Sequence, residues 1–306
     1  MSRLFDRVGS GFYATAKGIA TAAGLERSAW GRKGLARLNV VGEKFGRLFL
    51  LRDRTFKIDG HLLHLAGRSG PSVSFSTELL SARYEQETTT ILKETLCPGM
   101  NVLDVGAHVG SHALLAARLV GPLGKVFAFE PSPDNFALLQ KNVALNGYQN
   151  IVTIAKAVSD KTGVAMLHLS PEGNDRNALQ RLRSAPPGKS VEVPTISLDD
   201  FLEEIGWPPI RLIKMDVEGA EPLVLKGMSR LLERCGDIRL IAEFAPACIR
   251  DGAYTPVNFL EALAGCGFRI HVLQTDGAPK PLAPSEFANF TREVEIEGMR
   301  NLLCHR

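Results

Sequence analysis

Hydrophobic positions from residue 101 onward form short apolar runs that alternate with longer segments of helical spacing. Apolar runs of about four to eight residues predict buried strands, and apolar positions repeating every three or four residues predict helices. The predicted strands are NVLDVGA (101–107), KVFAFEP (125–131), NIVTIAKAV (150–158), AMLHL (165–169), RLIKMDVEG (211–219), DIRLIAEF (237–244), FRIHVLQ (268–274) and NLLCHR (301–306). The predicted helices are SHALLAARLV (111–120), PDNFALLQKNVALNG (133–147), EPLVLKGMSRLLERC (221–235) and TPVNFLEALAGCG (255–267).

This alternation predicts an α/β fold in which helices cover both faces of a doubly wound, mostly parallel sheet. Ligands of such sheets bind beyond the carboxyl ends of the strands, near the point where the strand order reverses. The residues that end or follow predicted strands are therefore the candidate site residues. They are Asp104–Gly110, Glu130, Ala157–Asp160, Asp216 and Glu243.

The pattern before residue 101 divides into three parts. Residues 1–38 form a basic leader of helical character, and residues 39–82 form a small β segment with two to four short strands between 45 and 76. Residues 77–96 have helical spacing, which Cys97-Pro98-Gly99 interrupts. We predict that residues 83–306 form the main domain.

Composition limits the class of protein. The chain has 306 residues, of which 45% are hydrophobic and 23% charged, as in soluble globular proteins. No apolar stretch reaches the length of about 18 residues that a transmembrane helix needs. The five cysteines are spread out without a C-x-x-C pair, which favours free thiols in a reducing compartment, so a cytoplasmic location is expected.

Charge is uneven along the chain. Residues 1–38 carry seven basic and two acidic side chains, whereas the formal net charge of the whole chain is only +3. A basic leader on a slightly acidic body can contact a membrane surface or an anionic partner, and a solvated helix with a linker is the alternative. Basic residues do not interleave with aromatic ones as in proteins that bind single-stranded nucleic acid, so no nucleic-acid partner is expected.

The sharp turn after the first main strand contains two glycines, Gly106 and Gly110. A dinucleotide-binding turn of the G-x-G-x-x-G type would place glycine at 108 and 111, where this chain has His108 and Ser111. The acid Asp104 favours a ligand with a cationic or donor group. S-adenosylmethionine fits, because it has an ammonium and a sulfonium but no phosphate.

Glu130 ends the second main strand, 20 residues after Gly110. A carboxylate at this place can accept hydrogen bonds from both ribose hydroxyls of a nucleoside. Each acid also has a purely structural interpretation: Asp104 can cap its turn, and Glu130 can assist the start of the next helix ahead of Pro131. The combination at this spacing favours a bound nucleoside.

Several motifs together resemble the FkbM family of methyltransferases. They are YEQETT (84–89), LDVGAHVG (103–110), FEPSPDNFALLQKNVALN (129–146), AVSD (157–160), ISLDDFL (196–202) and LIKMDVEGAEPLVLKG (212–227). The resemblance covers roughly residues 80–306 and implies a class I methyltransferase fold, Rossmann-like with a seven-stranded sheet, that uses S-adenosyl-L-methionine. It implies that the cofactor contacts Asp104, Gly106, Ala107, His108, Gly110, Glu130, Pro131, Ala157, Val158 and Asp216. At His108 the family usually has Asn, and at Ser111 it often has an aromatic residue, so the shape of this side of the pocket differs here.

A second group of acids surrounds the end of the strand 211–219. Asp216 is expected to face the transferred methyl group, with Lys214 beside it and Glu218 close by. An alkyl hydroxyl must lose its proton near the transition state, so Asp216, Glu218 and Glu243 are candidate bases. Lys214 is a candidate partner of a carboxylate. The structural alternative is that Glu218 and Glu221 cap the helix that Pro222 begins.

His108 and His112 are four residues apart, near one face of the predicted helix. A metal pair is possible by spacing, but no third ligand lies nearby in sequence, so separate roles are preferred and metal dependence stays open. His112 is a candidate for contacting the acceptor. The polar loop 170–190 follows a strand at the same edge, where its Asn174, Arg176, Arg181 and Arg183 can cover a substrate.

The expected function is that of an S-adenosylmethionine-dependent methyltransferase. The expected reaction is O-methylation, on a hydroxyl of a sugar, a glycolipid or polysaccharide unit or a natural product. The resemblance implies this acceptor class, a small molecule or glycan. Two alternatives stay open: an oxidoreductase that uses NAD(P), against which the missing middle glycine argues, and a binding module without catalysis on the same fold. The sequence does not define the oligomeric state.

Overall fold

The computed structural model describes residues 53–66, 75, 79, 85–171, 173–180, 188–252, 254–275 and 277–306. The predicted leader at 1–38 and most of the segment 39–82 lie outside the described residues. In the described part, no helix combines the length and apolar character needed to cross a membrane.

The elements are numbered in chain order. The strands are β1 (Arg54–Ile58), β2 (His61–Leu65), β3 (Asn101–Val105), β4 (Lys125–Phe129), β5 (Ile151–Ile154), β6 (Ala157–Val158), β7 (Gly163–His168), β8 (Ser190–Ile196), β9 (Ile210–Met215), β10 (Arg239–Phe244), β11 (Arg269–Val272), β12 (Lys280–Pro281) and β13 (Arg300–His305). The helices are α1 (Gln86–Thr95), α2 (Ser111–Val120), α3 (Pro133–Asn146), α4 (Leu198–Glu204), α5 (Glu221–Lys226), α6 (Ser229–Arg234), α7 (Pro246–Asp251), α8 (Pro256–Gly265) and α9 (Phe287–Glu297).

The main sheet has the strand order β12-β11-β13-β10-β9-β3-β4-β5. Strands β10, β9, β3, β4 and β5 are parallel, whereas β13 runs antiparallel to β10 and β11. The mostly parallel α/β fold is therefore confirmed. The sheet has eight strands where seven were expected, because the two-residue strand β12 adds to the edge at β11. The strand order reverses at β3, which lies between β4 and β9.

The segment 150–158 is not one strand. It divides at residues 155–156 into two strands. β5 is an edge strand of the main sheet, and β6 pairs with β8 in a separate three-stranded sheet. The strand predicted at 165–169 lies in that small sheet as β7, antiparallel to β8. Strand β8 and helices α4 and α9 were not among the predicted elements.

The predicted helix 221–235 is two helices, α5 and α6, separated at Gly227 and Met228. Gly227 packs closely on the preceding chain, since a Cβ placed on it would lie 2.1 Å from the Ser159 main-chain oxygen. Because that contact leaves no room, tertiary packing overrides the helical pattern here. Helix α1 ends at Thr95, just before the predicted break at Cys97.

Side chains of the central strands alternate between two hydrophobic cores. Leu103, Phe129 and Ile213 face the core that α4 to α9 cover, whereas Val102 and Leu212 face the core that α1, α2, α3 and β2 cover. Alternation by two residues therefore decides which face of the sheet each candidate site residue occupies.

The hairpin β1–β2 packs on the main domain through two asparagines of α3. The Asn142 Oδ1 accepts from the His64 N–H at 2.6 Å, and its Nδ2 donates to the His64 carbonyl at 3.1 Å and to the Val109 carbonyl at 2.8 Å. One turn later, Asn146 bonds the N–H and the carbonyl of Leu62 in the same way, at 2.8 and 2.7 Å. The hairpin is thus attached partly through its main chain, while Leu63 and Leu65 of β2 pack in the core that α1, α2 and α3 cover.

Candidate active site

Polar side chains interrupt the apolar pattern at the carboxyl ends of β3, β9 and β10. Asp104 pairs with Lys214 in the parallel register of β3 and β9, and Lys214 pairs with Ile241 of β10. Paired residues share a sheet face, and so do residues two apart along a strand. Asp104, Lys214, Asp216 and Glu243 therefore lie on the same face, which α1 and α2 cover.

The glycine turn brings the ends of β3, β4 and β9 together. The N–H groups of Gly106 and Ala107 donate to the Phe129 carbonyl, at 3.0 and 2.9 Å. Gly106 has φ +83°, and a Cβ on it would lie 1.8 Å from the Asp216 main-chain oxygen. Only glycine satisfies both conditions, because it lacks the Cβ and tolerates positive φ.

Gly110 begins α2 with φ +93°, and a Cβ on it would lie 2.7 Å from Leu139 Cδ1. The turn between the two glycines is closed by the Gly110 N–H, which donates to the Ala107 carbonyl at 2.8 Å. Ala107 itself is buried. A ligand can therefore meet this segment mainly through its main chain.

His108 occupies the middle of this turn with φ +51°. Its main-chain N–H donates to Glu130 Oε2 at 2.9 Å, and its ring Nε2 lies 3.0 Å from Asn174 Oδ1. Its ring meets Phe75 edge to face, with the ring centroids 4.7 Å apart. Burial lowers the pKa of His108, so the neutral imidazole is favoured. His108 thus joins the glycine turn to the loop 170–190.

Glu130 is 5% exposed, and its carboxylate joins two main-chain turns. Besides the His108 N–H, it accepts from the Ser132 N–H at 2.9 Å and from Asn135 Nδ2 at 3.4 Å, both at Oε1. Burial raises the pKa of Glu130 to about 7 although these hydrogen bonds favour the charged form. Pro131 follows and is half-buried. The structural role expected for Glu130 at the start of α3 is therefore present. Oε1 already accepts two hydrogen bonds, whereas Oε2 accepts one and keeps a lone pair for a ligand.

Asp104 is 2% exposed, and no hydrogen bond from the described residues reaches either of its carboxylate oxygens. Burial raises the pKa of Asp104 to about 6, while the nearby Lys214 ammonium acts in the opposite direction. A buried polar group without a partner is costly. A buried carboxylate without a partner beside the glycine turn therefore indicates a ligand that donates to it.

Lys214 is buried, and its Nζ lies 3.0 Å from Asp216 Oδ2. Burial disfavours the ammonium, but the carboxylates of Asp216, Glu85 and Asp104 outweigh burial and raise the pKa of Lys214 above its usual value. The lysine therefore stays charged and orients the Asp216 side chain.

Glu218 and Glu243 lie close to Asp216, whereas Glu221 accepts hydrogen bonds from main-chain N–H groups. Asp216, Glu218 and Glu243 each place a carboxylate oxygen within 4.8 Å of the others. Burial, and after it the charge of Asp216, raises the pKa of Glu218 to about 8 and that of Glu243 well above its usual value. Glu221 instead accepts from the N–H groups of Val217 and Gly219, at 3.0 and 3.3 Å. The capping interpretation thus fits Glu221, which is the first residue of α5, and not Glu218.

His112 lies in the first turn of α2 and does not join His108, whose ring contacts Asn174 instead. Its Nε2 is 3.9 Å from Glu85 Oε2. Burial lowers the pKa of His112 to about 3, so the imidazole is neutral and this contact is not an ion pair. His112 also lines a cavity of about 140 Å³ between the hairpin β1–β2, α1 and α2.

Glu85 is a site residue that the sequence analysis did not select. It precedes α1 with φ +39°, and its charge acts on Lys214, Asp104 and Glu243. The signal was present, because Glu85 belongs to the YEQETT motif. Nothing in that motif alone places it beside strands more than a hundred residues away.

Ala157 and Val158 lie in β6 with both side chains buried, Ala157 against the small sheet and Val158 in the main core. Neither side chain can face a ligand, so a contact here would use main-chain atoms. In the 170–190 loop, Asn174 joins the site through His108 and also bonds Asn135, whose Nδ2 donates to the Asn174 carbonyl at 3.0 Å. Arg181 and Arg183 lie outside the described residues.

Comparison with known proteins identifies a shared domain. A sequence profile described as "Methyltransferase FkbM domain" matches residues 104–270, which is more than half of the chain. Hexuronic acid methyltransferase AglP of Haloferax volcanii is 30% identical over 151 residues, 49% of this chain and 59% of that protein. The 31-O-demethyl-FK506 methyltransferase FkbM of Streptomyces tacrolimicus is 33% identical over 160 residues, 44% of this chain and 61% of that protein. The chain thus spans about three fifths of the length of these relatives. A crystal structure of an S-adenosylmethionine-dependent O-methyltransferase from Thermotoga maritima superposes with a TM-score of 0.42 at 13% identity, over 83% of this chain and 85% of that one.

Proposed function

This chain belongs to the FkbM family of methyltransferases, and on that premise we propose that it transfers a methyl group from S-adenosylmethionine to a hydroxyl oxygen of a small-molecule or glycan acceptor. The observation that carries the proposal is the pair of aspartates at the reversal of the strand order. Asp104 and Asp216 share one sheet face beside the glycine turn, and Asp104 is buried with both oxygens unpartnered by the described residues.

The residues present fit a cationic nucleoside donor. Asp104 offers a buried carboxylate for the donor's ammonium, and Glu130 offers Oε2 for a ribose hydroxyl while it holds the His108 N–H. The proposed binding set also includes Gly106, Ala107, His108, Gly110, Pro131, Ala157, Val158 and Asp216. The glycines and the buried alanine and valine residues of this set would contact the donor through main-chain atoms rather than through their side chains.

Bound there, the donor would supply an electrophilic methyl carbon to the acceptor oxygen, with the sulfur keeping the electron pair of the carbon–sulfur bond, and the acceptor's hydroxyl proton would pass to a base of this chain. Asp216 is the proposed base, because the Lys214 ammonium, 3.0 Å from Oδ2, holds its side chain in place. Glu218 and Glu243 surround the same point, and His112 faces the acceptor side from the cavity at α2. Alignment of the reacting groups can account for most of the reduction in the activation barrier.

The acceptor class follows from the chemistry of the site and from the relatives. The cavity next to His112 has polar side chains from the hairpin and α1, including Asp59, Gln86 and Lys93, which suit an acceptor with several hydroxyls. The names of the relatives AglP and FkbM specify a hexuronic acid and 31-O-demethyl-FK506, respectively, as substrates of those proteins. A sugar or a hydroxylated natural product is therefore the acceptor that we propose here.

The proposed function is tested by calorimetry with S-adenosylhomocysteine and by mass spectrometry of extracts incubated with S-adenosylmethionine and the protein. We expect donor-product binding and an enzyme-dependent product heavier by one methylene unit. Asp216→Asn is expected to lower turnover about 10²- to 10⁴-fold, as for loss of a general base, with a smaller change in donor affinity. Binding of NAD(P)H instead would support an oxidoreductase, and donor binding without any methylated product would support a module without catalysis.

A further inference from the structure

The strongest unassigned feature is the acidic cluster formed by Asp216, Glu218 and Glu243. One carboxylate oxygen of each lies within 4.8 Å of one oxygen of the other two. Oxygen ligands of a magnesium- or calcium-sized ion lie about 2.0 to 2.6 Å from it, so oxygens on opposite sides of one ion are about 4 to 5 Å apart. The cluster therefore has the dimensions of a single cation site.

The fold, and not chance exposure, brings these three acids together. Asp216 follows β9 and Glu243 lies in β10, and both point to the face that carries Lys214. Glu218 adopts φ +52°, in a turn whose N–H groups at Val217 and Gly219 bind Glu221. The Glu221 carboxylate thus supports the turn that presents Glu218.

Glu243 provides a second observation that points to a ligand. It is 9% exposed, and its buried Oε2 receives no hydrogen bond from the described part of the chain. The buried ammonium of Lys214 donates to Asp216 Oδ2. A buried carboxylate oxygen without a donor is costly, and a bound cation removes that cost.

The balance of charge around this point favours a divalent ion. The carboxylates of Asp216, Glu85 and Asp104 act on a single buried ammonium, that of Lys214, so acidic groups outnumber basic ones among the described residues here. All the ligand atoms in the cluster are carboxylate oxygens. Hard oxygen ligands select magnesium or manganese over metals that prefer nitrogen and sulfur.

We propose that Asp216, Glu218 and Glu243 bind one divalent cation of the magnesium or manganese class. The three side chains supply three of its ligands, which leaves positions for water or for acceptor oxygens. The proposal of a binding site depends on the cluster alone. Its role depends on the proposed function: next to the transferred methyl group, the cation would bind an acceptor oxygen and make its hydroxyl a better acid.

The site is tested with manganese as the probe. The full chain, stripped with a chelator, is titrated with Mn²⁺ and free Mn²⁺ is followed by electron paramagnetic resonance; calorimetry with Mg²⁺ runs in parallel. We expect saturation at one ion per chain. Glu243→Gln and Glu218→Gln, which keep side-chain volume, are each expected to weaken binding at least tenfold. Asp237→Asn, which removes an equally negative but exposed carboxylate paired with Arg211, is the matched control and should leave binding unchanged.

Circular dichroism of each variant verifies the fold. Glu218 is half-buried, whereas Glu243 is buried, so Glu218→Gln is the milder change. It serves as the test on its own if Glu243→Gln fails to fold. The proposal is overturned if Mn²⁺ binding does not saturate, if neither glutamine variant weakens it, or if the Asp237 control weakens it equally. Calorimetry with S-adenosylhomocysteine in chelator separates the two proposals. If S-adenosylhomocysteine binds but Mn²⁺ does not, only the proposal of a cation site is overturned. If Mn²⁺ binds but S-adenosylhomocysteine does not, only the proposal of methyl transfer is overturned.

Discussion

The Glu130 carboxylate connects two parts of the main chain, since Oε2 accepts from the His108 N–H and Oε1 from the Ser132 N–H. It therefore shapes the glycine turn and the start of α3 together. A ligand that reaches Glu130 meets a carboxylate that is already oriented, so little side-chain ordering is needed on binding. A ribose hydroxyl is the proposed donor to the lone pair that remains on Oε2.

Glu130→Gln is expected to weaken S-adenosylhomocysteine binding about ten- to a hundredfold, as for loss of hydrogen bonds to a charged group. Because the pKa of Glu130 is about 7, the wild-type affinity should also fall as the pH decreases from 8 to 6 and the carboxylate becomes protonated. Calorimetry across that range measures both effects. The exposed Glu192→Gln is the control; equal affinities in all three proteins would rule out the ribose assignment.

Gly106→Ala is expected to destabilise the chain more than Gly99→Ala does. Both glycines have similar positive φ, +83° and +87°, but a Cβ on Gly99 meets nothing within 4 Å, whereas one on Gly106 lies 1.8 Å from the Asp216 main-chain oxygen. The pair thus separates backbone strain from the clash. We expect a cost of about 1 to 2 kcal/mol for Gly99→Ala and about 1 to 3 kcal/mol more for Gly106→Ala.

Urea unfolding of the two glycine variants and of the wild type measures these differences. Soluble Gly106→Ala with the same loss of stability as Gly99→Ala would mean that β3 and β9 can separate at little cost. In that case the close approach of these strand ends would not be what holds Asp216 beside the turn.

At the level of single residues, the sequence identified most of the acids of the site but not their partners. Asp104, Glu130, Asp216 and Glu243 could be selected because each one ends an apolar run. The contact between His108 and Asn174 could not, because it joins a turn to a loop 66 residues away. Glu85 was missed for the same reason: its approach to the acids depends on how α1 packs on the sheet.

At the scale of elements, periodicity succeeded where each segment contacts its neighbours through one face. The segments β3, α2, β4, α3, β9 and β10 were predicted within a few residues of their observed ends. It failed where packing outweighs local pattern. Gly227 ends α5 because it lies against Ser159, and the chain leaves the main sheet after β5 to form β6, although its apolar pattern continues.

Asn142→Ala is expected to lower the free energy of unfolding by about 2 to 4 kcal/mol. The side chain is fully buried and makes three hydrogen bonds to main-chain groups of His64 and Val109, each worth about 1 kcal/mol and more when a buried partner loses its only bond. Gln140→Ala, on the exposed side of the same helix, should change stability by less than about 0.5 kcal/mol. Urea unfolding compares them, and equal values would show that the hairpin is held by other contacts.

At the scale of the whole molecule, the chain concentrates buried acids at one end of its sheet. Burial raises the pKa of Asp104 to about 6, and of Glu130 and Glu221 to about 7. The folded state then binds more protons than the unfolded state between the unfolded and folded pKa values. This contribution to stability is complete below about pH 4 and is lost as the pH rises through about 6 to 7.

The melting temperature measured without donor and without divalent ions should therefore fall between pH 6 and pH 8. Glu221→Gln should make this fall smaller, because the amide keeps an acceptor for Val217 and Gly219 but does not titrate. Glu192→Gln, on the exposed face of β8, should not. Differential scanning calorimetry at pH 6, 7 and 8 measures the slope, and a melting temperature that rises with pH would contradict the raised pKa values.

Domain boundaries were the least accessible property from sequence. The division into residues 1–38, 39–82 and 83–306 stays a prediction, since most of the first two segments lies outside the described residues. The described hairpin nevertheless packs on α3 and lines the same cavity as α1 and α2. Apolar alternation predicted its strands, but not that two asparagines of a distant helix would hold them.

That attachment has a consequence for how the protein can change over evolution. Asn142 and Asn146 form hydrogen bonds with the main-chain N–H and carbonyl groups of His64 and Leu62. Every amino acid except proline has both of these groups. Exchange of the cavity-lining side chain of Asp59 therefore leaves these main-chain hydrogen bonds in place. The ring of His61 also lines the cavity, but it lies 3.2 Å from the Tyr148 hydroxyl and belongs to the attachment. A library that randomises Asp59 should retain folded members, and under the proposed function new acceptor preferences can arise there while the glycine turn stays intact.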